Sequence, residues 1–136
     1  MLRLIALALL AAPLPAAAQT VLASEADWSY LPPMPQRADH HLTPEAITSI
    51  HQVIISGDCK LEGQSKREID MRVPFAVQFD ETGKVKQLVV RKLGCPRIEG
   101  IIAGALLEMI AADEYRPTGH NPLGWYRASV SFGSRV

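Results

Sequence analysis

Between Ile69 and Val90 the chain reads IDMRVPFAVQFDETGKVKQLVV, and this stretch decides the fold. Ile69, Met71, Val73, Phe75, Val77 and Phe79 recur every second residue, with Asp70, Arg72, Gln78 and Asp80 on the opposite parity. A period of two is the mark of a strand buried on one face. The strand runs into Asp80-Glu81-Thr82-Gly83, where Gly83 suits the left-handed position of a bulged hairpin loop. A second strand, Lys84 to Lys92, follows with Leu88, Val89 and Val90 inside it. Pro74 sits in the first of these strands although proline cannot donate to a ladder, so either a bulge lies there or the last strand of the sheet, Trp125 to Phe132, stops short of it.

Working outward, Thr43-Pro44-Glu45 is a helix start: a hydroxyl N-cap, proline at the first helical position and an acid in the first turn. Ile47, Ile50, Val53 and Ile54 follow at helical spacing, and Gly57 suits the position just past the end, which predicts a helix over 44–55. Downstream, Pro96 opens a second helix with the stripe Ile98, Ile101, Ile102, Ala105, Leu106 and Met109, ending near Ala112. Gly100 and Gly104 inside it are expected to mark a close approach of helix to sheet. The stretch 117–124, with two prolines and two glycines, reads as a loop. Trp125 to Phe132 then alternates again, with Tyr126, Ala128, Val130 and Phe132 on one face. The order is α-β-β-α-β, an α+β fold of two helices on a three-stranded antiparallel sheet.

The N-terminus is of another kind. One basic residue, Arg3, precedes the apolar run Leu4 to Leu14, and Ala16-Ala17-Ala18 offers a small-residue cleavage site. This reads as an export signal over 1–18, cut before Gln19; the run is shorter than the ~20 residues of a spanning helix. An uncleaved anchor is the alternative. Residues 19–42 read as an extended arm laying Trp28, Tyr30, Leu31 and Met34 on a domain that occupies 43–136. In an oxidising compartment Cys59 and Cys95 read as a disulfide, joining the first helix's exit to the second helix's start. Its loop of about 36 residues is worth on the order of 4 kcal/mol. Fourteen basic and fourteen acidic residues cancel, so nothing suggests a nucleic-acid footprint.

The residues bearing chemistry are scattered. His40 and His41 are adjacent and so cannot face one site together, His51 lies beside an apolar helix face, and His120 is in a loop. Asp39, His40 and His41 read as a solvated turn rather than a metal site. Ser56 and Ser131 lack a nucleophile-elbow pattern, and no cofactor cradle is present. These patterns point to a non-enzymatic protein.

Several segments together resemble the TonB C-terminal domain family. Val73 to Val85 resembles its first hairpin, Ile98 to Ala112 the helix that follows, Glu114-Tyr115-Arg116-Pro117-Thr118-Gly119 the aromatic-x-Pro-x-Gly element that closes it, and Val130-Ser131-Phe132 the last strand. The resemblance implies a periplasmic protein whose last strand pairs with a partner peptide, such as a segment of an outer-membrane transporter, along Trp125, Tyr126, Arg127, Ala128, Ser129 and Val130. With the leader removed, the chain has neither the membrane anchor nor the Pro-rich spacer of an energy transducer. A second expectation, of another class, is a structural or inhibitory module that pairs with its own copy.

Overall fold

The hairpin organises the molecule. A computed structural model describes residues 20–34, 40–65, 68–80, 82–112 and 124–135, so the expected signal over 1–18, the loop at 117–123 and the Glu114 to Gly119 element lie outside the described residues. In chain order the elements are β1 (Thr20–Ser24), β2 (His40–His41), α1 (Pro44–Ser56), β3 (Glu68–Phe79), β4 (Val85–Arg91), α2 (Pro96–Ala111) and β5 (Trp125–Arg135). β3 and β4 form the expected hairpin. Asp80 closes it, its Oδ1 accepting from the Thr82 amide at 2.8 Å, the Thr82 hydroxyl at 2.7 Å and the Lys84 amide at 3.0 Å. Gly83 takes the left-handed conformation at φ 81°.

β5 pairs antiparallel with the other side of β3 in one unbroken register, Glu68 opposite Arg135 through Gln78 opposite Trp125. The three antiparallel strands and two helices are those expected from the sequence. Pro74 is accommodated in neither of the ways anticipated. β5 runs straight past it, with Ser129 opposite, and the one register shift in the hairpin lies between Gln78 and Phe79. Instead, pairing of β3 with β4 ends at Phe75 opposite Val90, so Pro74 sits where its second neighbour stops.

α1 and α2 cover one face of this sheet. Thr43 caps α1 by accepting from the Ala46 amide, and Gly57 ends it at φ 80°. Phe75, Phe79, Leu88, Ile50, Ile98, Ile102 and Leu106 are fully buried between the layers. Cys59 and Cys95 are bonded, their Cα atoms 5.8 Å apart, and tie the end of α1 to the start of α2 as expected. Arg97 and Asp58 pair beside the bridge, but both are well exposed and contribute little. Gly100 and Gly104 do not mark a close approach. Both are exposed, and a methyl group built on either would meet nothing within 4 Å. Gly133 is the glycine at a tight contact, its missing Cβ falling 3.3 Å from the Ile69 carbonyl oxygen.

The arm lays Trp28, Leu31 and Met34 on the domain but leaves Tyr30 79% exposed, and it does more than lay down side chains. It extends the sheet at both ends, giving the strand order β1-β4-β3-β5-β2. β1 runs parallel to β4, Thr20 opposite Gln87 through Ser24 opposite Arg91. β2 runs parallel to β5, His40 opposite Val130 and His41 opposite Ser131. Between them Trp28 is buried against Ala76 and Val89, with Leu31 and Trp125 packed alongside. These residues have the parity opposite to the helix-facing set. The arm therefore crosses the sheet face that the helices leave uncovered.

Candidate functional site

The strand expected to bind a partner is the last long strand of the sheet, and its outer edge is occupied. The Arg127 amide donates to the Pro32 carbonyl at 3.0 Å, and the Arg127 carbonyl accepts from the Met34 amide at 3.0 Å, a parallel bridge centred on Pro33. Further along, β2 takes over, and the Leu42 amide donates to the Ser131 carbonyl at 3.4 Å. By ladder alternation Arg127, Ser129 and Ser131 turn their backbone groups to this edge, while Tyr126, Ala128 and Val130 turn theirs to β3. The edge expected to take a partner peptide thus carries the chain's own arm as an added strand.

The side chains divide accordingly. Tyr126 is buried on the helix side, its ring edge-on to Phe79 at 6.1 Å between centroids. Val130 is fully buried and Ala128 half-buried against the same core. These three are packing residues. Trp125, Arg127 and Ser129 lie on the other face. Trp125 is half-buried beside Trp28 rather than free at the edge. Arg127 is exposed and donates from Nε to the Leu31 carbonyl at 2.7 Å. Ser129 Oγ accepts from Arg72 Nε at 2.8 Å.

A cavity of about 390 Å³ opens on this face, between the arm and the sheet, lined in part by Trp28, Met34, Pro74, Arg72, Arg91 and Arg127. Arg91 donates to the Glu25 carbonyl at 2.8 Å and lies over the Trp28 ring at 5.2 Å. Asp27 also lines it; the Ser29 amide and then the Ser29 hydroxyl donate to its carboxylate and hold its pKa below the ordinary 3.8. Sequence reading placed Arg72 on the polar parity of its strand but did not gather these arginines. The signal was present: Arg72, Arg91 and Arg127 come from three neighbouring strands, and the arm's path over them was what could not be foreseen.

The histidines among the described residues lie in separate elements, His40 and His41 in β2 and His51 in α1. His51 is buried in α1 and His41 is exposed in β2, while Asp39 and His120 lie outside the described residues. Among the described residues no three His, Cys, Asp or Glu side chains form a group able to hold a metal ion, and no helix is long and apolar enough to cross a membrane. No family model, curated protein or solved structure matches the chain.

Proposed function

We propose that this is an exported, non-catalytic strand-binding protein, in which β5 takes an extended peptide and the arm occupies that edge until the peptide arrives. The observation that carries this reading is the parallel pairing of the chain's own Pro32–Met34 and His40–Leu42 segments with β5. An edge that accepts one extended segment has the geometry to accept another, because backbone pairing is indifferent to sequence. The contact at Arg127 rests on two backbone hydrogen bonds and one from its side chain. A few hydrogen bonds of about 1 kcal/mol each form a contact that a competing strand can displace. The likeness of the hairpin and closing strand to TonB C-terminal domains points the same way and suggests an outer-membrane transporter segment as the peptide. The Cys59–Cys95 bond supports a periplasmic setting, reached through cleavage before Gln19. A mature mass starting at Gln19, two hydrogens lighter than the dithiol, would agree with that route.

The test is an amide NMR titration of the mature chain with peptides from periplasmic segments of outer-membrane transporters. Amides of Arg127, Ser129 and Ser131 should shift together with Met34 and Leu42. Absence of shifts at millimolar peptide removes the transporter reading. One observation favours self-association as a second reading: the arm's edge contacts, made within one chain, would form equally well between two copies that exchange arms. Sedimentation across a hundredfold range of concentration decides it, and a monomer throughout sinks it.

A further inference from the structure

The cavity beneath the arm has the composition of an anion site, independently of what pairs with the β5 edge. Three guanidinium groups from β3, β4 and β5 line it against one carboxylate, Asp27, whose oxygens accept from Ser29. Arg91 and Arg127 are each oriented by a hydrogen bond to an arm carbonyl, of Glu25 and Leu31. Each such bond uses one of a guanidinium's five N–H donors. Among the described residues neither Arg91 nor Arg127 has a carboxylate within ion-pair distance, and the charge of Arg91 acts on the Asp27 carboxylate only from farther off. Their bases lie within converging reach. Val90 is opposite Phe75, which puts Arg91 level with Pro74, and Pro74 is opposite Ser129, two residues from Arg127. Strand spacing and rise then separate the two Cα atoms by roughly 12 Å, a span that two arginine side chains can close upon one oxyanion. Pro74 and Ser129 between them are small, which leaves the floor low, while Trp28 and Pro33 supply an apolar wall.

We propose that this cavity binds a small organic anion, with its carboxylate or phosphate head held by Arg91 and Arg127 and its apolar part against Trp28, Pro33 and Pro74. A volume of about 390 Å³ fits a ligand of one ring with its head group. Guanidinium forks match both kinds of head.

The experiment is a titration of the full mature chain at low ionic strength with phenyl phosphate, benzoate and inorganic phosphate, following the arginine Nε–H resonances. Arg91 and Arg127 should shift saturably with phenyl phosphate or benzoate, and the stronger of the two identifies the head group. Inorganic phosphate should bind about tenfold more weakly, since it leaves the apolar wall unused. The R91Q/R127Q variant should lose at least about tenfold in affinity while remaining folded, and R91K/R127K, which keeps the charge without the fork, should fall between. The proposal is overturned by shifts that never saturate, by shifts that sodium chloride reproduces at equal ionic strength, or by unchanged affinity in R91Q/R127Q. Equal binding of inorganic phosphate and phenyl phosphate overturns the apolar part. Should R91Q/R127Q fail to fold, R91K/R127K decides, and affinity equal to that of the unaltered chain counts against the paired fork.

Discussion

Glu99 is a carboxylate placed among apolar residues, and its position explains how α2 begins. It is buried on the first turn, and its Oε1 accepts from the Leu93 amide at 2.8 Å across the turn that carries Cys95. Cys95, the N-cap, offers no side-chain cap of its own, so Glu99 satisfies a backbone donor that the helix start would otherwise strand. Glu99→Ala should cost about 1–2 kcal/mol, the lower part of the penalty for an unpaired amide because Leu93 is only partly buried, while Glu99→Gln keeps the acceptor and most of the stability; urea unfolding of both variants measures the difference. Asp80 works in the open. Hydrogen bonds from the Thr82 hydroxyl, the Lys84 amide and the Thr82 amide hold its carboxyl below its ordinary pKa of 3.8. A depressed folded-state pKa gives stability that is present above the unfolded value and is lost as pH falls through the folded one. The Asp80 carboxyl carbon should therefore titrate below 3.8 by NMR, and Asp80→Asn should flatten the acid limb of the stability curve. Asp80 was legible in the sequence as a turn residue because its partners are two and four residues away. Glu99 was not, because periodicity counts apolar positions and says nothing of a polar side chain reaching back to a particular amide.

At the scale of elements, α2 holds two glycines that no packing explains. Gly100 and Gly104 face open space, and each costs a helix interior roughly 1 kcal/mol against alanine. Gly100→Ala and Gly104→Ala should each stabilise the domain by up to about that amount and raise the melting temperature by about 4 °C. Calorimetry checks this, and a loss of stability would mean that this surface contacts something. The expectation of a tight helix-to-sheet contact failed because a glycine in a sequence marks missing bulk without saying which side of the helix it faces. The long strands and both helices were legible, since each carries several turns of its own period and its own punctuation: Thr43-Pro44 and Gly57 for α1, Gly83 for the hairpin. β1 and β2 were not. They are five and two residues long, too short for a period to show, and their partners are far away in sequence.

For the whole molecule, the arm is one strap fixed at both sheet edges and pinned at its middle by Trp28. Trp28→Ala removes that pin from Ala76 and Val89. Amide exchange should then quicken at β1 and at the Arg127–Met34 bridge together, with the β3–β4 and β3–β5 ladders still protected; quickening at β1 alone would show that the two ends act separately. The candidate site follows the same logic. Its β5 residues were expected from the resemblance to TonB C-terminal domains, and the alternation only sorted them between the two faces; its closure by the arm and the arginine cavity beneath exist only once distant segments meet. The strap also has a history in time. It is made before the strands it pairs with, since a chain is synthesised from its N-terminus, yet Thr20 has no partner until Gln87 exists, and Met34 none until Arg127 does. Contacts so distant in sequence close slowly, so a segment made ahead of the sheet is the last to settle on it. Until then the newborn domain presents two bare strand edges, the condition in which a chain is most open to capture by another.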